Sequence, residues 1–168
     1  MKITIRSLAL FSIASMAFIS CSKPEKTVPL QLLLTDAPAT YESVNIHIVG
    51  MKVKMHKDDA GWISIDSKDT TVNLLDFQNG VTTVIAQGNV PDGILKEVRF
   101  ILGSGNTIVA NGVTYNLETP SAEHAGLKIK IDKKLGETLN TFILDFDAAL
   151  SIKEENGGYK LSPVIKVK

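Results

Sequence analysis

The chain has 168 residues, with 18 Lys and Arg balanced by 18 Asp and Glu, one Cys, three His and 6% aromatics. That length suits one domain, able to bury about two thirds of its unfolded surface without disulfides or a structural metal. A neutral chain has no cationic excess to neutralise phosphates, so no nucleic acid is expected as a partner, and a single Cys excludes an internal disulfide.

The first 20 residues carry Lys2 and Arg6 ahead of an apolar run of twelve, Leu8 to Ile19. These are the charged and apolar regions of an export signal. The run falls short of the roughly 20 residues that a membrane-spanning helix requires. Phe18-Ile19-Ser20-Cys21 resembles a bacterial lipobox, in which a small residue precedes the Cys that is acylated and becomes the new N-terminus; Phe18 departs from the usual Leu. The expected organisation is a lipoprotein signal peptide over residues 1–20, a polar tether from a lipidated Cys21 over residues 21–28 and one domain over residues 29–168. Loss of Lys2 and Arg6 leaves 16 cations against 18 carboxylates, a charge of −2 for Cys21 to Lys168. The remaining chain has no thiol, which excludes cysteine catalysis and thiolate zinc sites. An exported, membrane-anchored lipoprotein of the outer membrane or cell surface is expected. Its membrane partner is engaged through acyl chains that contribute about 0.8 kcal/mol per buried CH₂.

From Val28 onward the apolar period is two, the period of strands. Strands are predicted over Leu30 to Thr35, Trp62 to Asp66, Thr70 to Leu75, Ile94 to Leu102, Thr107 to Ala110, Val113 to Leu117, Leu127 to Ile131, Leu139 to Asp147 and Tyr159 to Val167. Between the first two of these, Val44, Ile46 and Ile48 alternate with polar residues on even numbers, and Met51, Val53 and Met55 on odd numbers. A strand that switches face at Val49-Gly50 must end or bulge there. Asn111-Gly112 is the strongest hairpin signal, because a type I′ turn requires positive φ at both central residues. Asp92-Gly93 and Asn156-Gly157-Gly158 mark further turns. Helix is scarce: Val81, Val84 and Ile85 suit one helical turn or a strand equally, and Asp147 to Ile152 has room for one turn. About ten strands with frequent turns predict an all-β fold, an antiparallel β-sandwich of immunoglobulin or transthyretin type.

Motifs for chemistry are sparse. Gly103-Ser104-Gly105-Asn106 lacks the spacing of a nucleophile elbow, and no phosphate-cradling glycine motif is present. His47, His56 and His124 are far apart in sequence and read as surface residues. In Leu144-Asp145-Phe146-Asp147 the two carboxylates share one strand face, roughly 6.6 Å apart. Asp36, at the end of the first strand, supplies a third if the strands are neighbours. Asp36, Asp145 and Asp147 are therefore candidate ligands for Ca²⁺, which takes 6–8 oxygens, or the carboxylates of a glycan-acting hydrolase. Their rival role is structural, since Asp commonly accepts backbone N–H bonds in turns. No cofactor other than this Ca²⁺ is expected. The sole Trp, Trp62, opens a strand and reads as a packing residue rather than a sugar stacker, and Lys128, Lys130 and Asp132 read as a solvated sheet face.

In order along the chain stand Leu33-Leu34-Thr35-Asp36-Ala37-Pro38, Val44-Asn45-Ile46, Gly61-Trp62, Asn73-Leu74-Leu75-Asp76, Asn79-Gly80-Val81-Thr82, Thr119-Pro120-Ser121, Gly126-Leu127-Lys128, Asp145-Phe146-Asp147-Ala148 and Pro163-Val164-Ile165. The series resembles a bacterial envelope lipoprotein family with an uncharacterised domain, of the domain of unknown function 4382 type, over Val28 to Lys168. The resemblance implies an exported all-β domain and supplies no catalytic residue. Two functions remain open. One is a lipid-anchored, non-catalytic binding or adhesion module for a polysaccharide or envelope protein; the other is a hydrolase using Asp36, Asp145 and Asp147.

Overall fold

A strand of 13 residues, β2 (Ser43–Met55), organises one half of the molecule. Its inward residues Val44, Ile46 and Ile48 are even-numbered and Met51, Val53 and Met55 odd-numbered, all buried. The switch of parity is accommodated by a bulge, where the register against β6 (Ile94–Leu102) shifts between Ile48 and Gly50. The strand therefore bends without ending and keeps one face on the core. In this computed structural model, which describes residues 25–56, 61–119 and 126–168, 64% of residues are strand and 6% helix.

The strands form a curled, mostly antiparallel, sandwich-like arrangement. β1 (Thr27–Asp36) lies between β5 (Thr83–Pro91) and β10 (Asn140–Phe146), and β13 (Ile165–Val167) closes that side beyond β10. β2 pairs on one edge with β6 and β7 (Thr107–Ala110), and on the other with β3 (Ile63–Ser67) and β4 (Thr70–Asn73). β9 (Leu127–Lys134) extends β6, and β8 (Val113–Glu118) extends β7. β11 (Ile152–Glu155) and β12 (Gly158–Leu161) continue beyond β8. β3 joins the halves through Asp66 and Ser67 beside Gln87 and Ala86. Alternate residues of both halves, Leu30, Leu32, Leu34 and Leu144 against Ile46, Val53, Val98 and Phe100, fill a single core.

The described residues depart from the sequence reading in three places. They hold thirteen strands rather than about ten. Two pairs, β1 with β10 and β8 with β12, are parallel; parallel partners need long crossovers, and here most of the chain intervenes between β1 and β10. Of the two alternatives left open around Val81, Val84 and Ile85, the structure takes the strand: β5 begins at Thr83 and continues through Gly88, Asn89 and Pro91. Such residues are depleted in strands, and Pro91 sits at the strand end beside Thr27. The single strand expected over Tyr159 to Val167 is split around Pro163, which lacks an N–H for a ladder. Ser162 N and Val164 N turn aside to donate to the Ser151 carbonyl and Ser151 Oγ, at 2.7 and 2.8 Å.

β1 and β2 run in opposite directions and give the molecule two poles. At one, the chain enters β1, Asp92 N donates to the Lys26 carbonyl and His56 N to the Ile94 carbonyl, both at 2.8 Å. At the other lie the ends of β1 and β10, the start of β2, and its neighbour β7 with β8 and β12 beyond.

Candidate functional site

The parallel pairing of β1 and β10 makes neighbours of the sequence-predicted carboxylates, with Thr35 beside Asp145 and Asp36 beside Phe146. Because successive residues of a strand face opposite ways, Asp36 shares the core face with the buried Phe146 and Asp145 lies on the reverse face. Each carboxylate has its own partners. Asp36, 2% exposed, accepts from Ala148 N at 2.9 Å and from Gln78 Nε2 at 3.3 Å. Asp147 caps the short helix α1 (Ala148–Ser151) by accepting from Leu150 N at 3.0 Å. Together these two side chains take two of the amides that a helix start leaves unbonded. Asp145 Oδ2 pairs with Lys168 Nζ at 2.9 Å, while its buried Oδ1 has no hydrogen-bond partner among the described residues. Burial raises the Asp36 pKa above its ordinary value, opposed by the Ala148 N–H and Gln78 bonds and reinforced by the charges of Asp145 and Asp147. Among the described residues no three His, Cys, Asp or Glu side chains are grouped to hold a metal ion.

The structure gathers other residues that the sequence left scattered. All three tyrosines of the chain meet at the far pole. Tyr159 lies edge-on to Tyr115 with ring centroids 5.0 Å apart, and to Tyr41 at 6.4 Å. The parallel register sets Tyr159 beside Leu117, so Tyr115, two residues earlier, is its diagonal neighbour on the same face. Leu117 and Leu161 on that face enter the core, whereas the tyrosines stand half-buried at its rim. Beside them a shallow concavity of about 230 Å³ is lined by Glu118, Glu155, Asn156, Gly158, Tyr159 and Lys160. Loss of water around the ring raises the Tyr159 pKa above its ordinary 10.0, helped by Glu154 and the other two tyrosines; at neutral pH its hydroxyl is an uncharged hydrogen-bonding group. No signal in the primary sequence reports this convergence, which depends on the β8–β12 pairing.

Trp62 is half-buried, with the Arg99 guanidinium 4.0 Å over its ring. That face is occupied by a cation–π contact, in keeping with a packing residue. His47 is engaged on both sides: Nε2 lies 2.6 Å from Asp69 Oδ1 and Nδ1 3.1 Å from the Ser104 carbonyl. Both partners are acceptors, so the ring satisfies both only as a double donor, the imidazolium. The Asp69 bond, then the Ser104 carbonyl, raise its pKa above the ordinary 6.5. Ser, His and Asp thus meet in space, but neither ring nitrogen is free to take a proton from the Ser104 hydroxyl. Cys21, His124 and the Thr119-Pro120-Ser121 tripeptide beyond Thr119 lie outside the described residues. Among the described residues no helix is long and apolar enough to cross a membrane.

Residues 27–163 match the family model described as Domain of unknown function (DUF4382). The chain belongs to this family. No curated protein and no solved structure matches the chain. The DUF4382 match covers every strand from β1 to β12 and both carboxylate segments, and ends at Pro163, before β13.

Proposed function

We propose that this DUF4382 domain is a non-catalytic binding module, exported and tethered to the outer membrane or cell surface through an acylated Cys21, which presents its tyrosine rim to an envelope polysaccharide. The observation that carries the reading is the convergence of Tyr41, Tyr115 and Tyr159 beside a concavity lined by Glu118, Glu155 and Asn156. Aromatic rings offer apolar contact area at low entropic cost, and adjacent carboxylate and amide groups hydrogen-bond hydroxyls. The ring spacings favour a sugar over a caged cation. Centroids 5.0 and 6.4 Å apart mean rings in mutual contact, with no space between them for an ammonium group. At about 230 Å³ the concavity is below the roughly 300 Å³ of an enclosing small-molecule pocket, which suits a polymer lying across the rim.

Support for a non-catalytic reading comes from the carboxylates. Asp36 and Asp147 are engaged with backbone amides at 2.9 and 3.0 Å, and Asp145 faces away from Asp36. The test is binding to isolated envelope polysaccharides, with Tyr159→Ala and Tyr115→Ala as probes. Loss of a central aromatic contact typically costs about 2 kcal/mol, roughly 30-fold in affinity. Retention of full affinity by both variants, with unchanged melting temperatures, moves the site elsewhere; absence of binding by the parent protein to any envelope glycan removes the polysaccharide reading.

A further inference from the structure

The outer face of β2, β6 and β9 carries a charge that the composition conceals. Register sets Lys52 beside Arg99 and Arg99 beside Lys128, three cations in one row across three strands. Neighbouring strands are about 4.8 Å apart, and like charges placed directly opposite destabilise a sheet. The next row, Lys54, Glu97 and Lys130, alternates in sign and has no such conflict. Lys96 joins this face through Asp132, whose carboxylate it meets at 2.7 Å while Lys130 reaches the other oxygen at 3.1 Å. The face thus has six cations against two carboxylates, +4, on a mature chain whose total is −2; all other residues together carry −6. Lys54, Lys128 and Lys130 are exposed and Lys52 half-buried.

The location of the patch indicates its partner. Lys54 and Lys96 lie beside the pole where the chain enters β1, since Lys96 is two residues from the Ile94 carbonyl that receives His56 N. Only five residues lie between Cys21 and the first residue of β1, Thr27, six Cα steps with a reach of at most about 20 Å. The cations are therefore held close to whatever surface holds the anchor. We propose that the β2–β6–β9 face docks on the anionic phosphate headgroups of the bilayer that carries the lipid anchor, so that the domain lies against the membrane instead of swinging on its tether. The orientation rests on the anchored reading above; the charge of the face does not.

The experiment measures partitioning of the full chain carrying Cys21→Ala, which cannot be acylated, onto phosphatidylcholine vesicles with and without phosphatidylglycerol. Any contribution from the apolar leader is common to all arms. Binding is expected to require the anionic lipid and to weaken as salt rises, because exposed charges are screened. Lys52→Gln, Lys54→Gln and Lys128→Gln together are expected to lower partitioning about 100-fold, about fivefold per charge. Lys153→Gln with Lys166→Gln, exposed lysines on β11 and β13, are expected to leave it unchanged. Equal binding to both vesicle types, or equal loss with the control pair, overturns the proposal. So does binding to a soluble acidic polysaccharide without binding to anionic vesicles. Failure of the anchor is read separately, as absence of acyl label on the Cys21 protein, and leaves the vesicle result standing.

Discussion

At the scale of single residues, the most consequential side chain is Asp36. It is buried beneath the start of α1, with the Ala148 amide on one oxygen and the Gln78 amide on the other. Its raised pKa means that the folded state holds the proton more tightly than the unfolded chain. The contribution of Asp36 to stability is therefore greatest below its ordinary 3.8 and is lost as pH rises through the folded value. Two substitutions separate the charge from the hydrogen bond. Asp36→Asn keeps an acceptor for Ala148 N and removes the buried charge, so its melting temperature at neutral pH is expected to equal or exceed that of the parent. Asp36→Ala leaves the Ala148 N–H buried and unpaired, a loss of about 1–3 kcal/mol in chemical denaturation. The presence of Asp36, Asp145 and Asp147 was legible in the sequence, and so was the proximity of β1 and β10 as a condition. What alternation along one strand does not reveal is the register between strands: a one-residue offset sets Asp36 and Asp145 on opposite faces.

At the scale of elements, period-two patterning located most strands because each half of the molecule buries one face of its sheet. Ile94–Leu102 and Thr107–Ala110 coincide with the sequence reading, and Asn111 and Gly112 take φ of 52° and 73° as the type I′ turn requires. β5 was less legible, since its Gly88, Asn89 and Pro91 argue against a strand until β1 and β3 supply partners on either edge. His47 shows how one side chain links elements that the sequence separates. Its ring ties β2 to Asp69, between β3 and β4, and to Ser104, in the loop after β6. Asn106 Oδ1 accepts from His47 N at 2.7 Å, and Gly103 N donates to the His47 carbonyl at 2.9 Å. A Cβ on Gly103 has no space beside His47 Nδ1. Protonated His47 satisfies both acceptors. Its stabilising contribution is complete below the ordinary 6.5 and declines as pH rises through the higher folded pKa. Melting temperature is expected to fall as pH rises through that interval, and His47→Gln is expected to remove this part of the pH dependence. An unchanged slope in the variant refutes the clip.

At the scale of the whole molecule, the proposed reading sets attachment at one pole and recognition at the other. β2 spans Ser43 to Met55, about 40 Å at roughly 3.3 Å per residue, with the tyrosine rim beyond one end and the entry into β1 at the other. That distance is about five times the screening length of roughly 8 Å at physiological salt, so charge or acylation at the entry pole has no direct electrostatic effect on the rim. A single core joins the poles, and the parallel β1–β10 pair, made by residues more than one hundred apart in the chain, makes the domain fold as a unit rather than as two lobes. Attachment and binding are therefore expected to be separable by substitution while stability is shared. Cys21→Ala is expected to abolish incorporation of a labelled fatty acid and shift the protein out of the detergent phase on Triton X-114 partition, while polysaccharide affinity stays within about twofold of the parent. Tyr159→Ala is expected to do the converse, retaining the label and losing affinity roughly 30-fold. If Cys21→Ala weakens binding in solution as strongly as Tyr159→Ala does, the rim is not an independent site and the two-pole reading fails. If both variants retain label and affinity, neither pole has the role given to it.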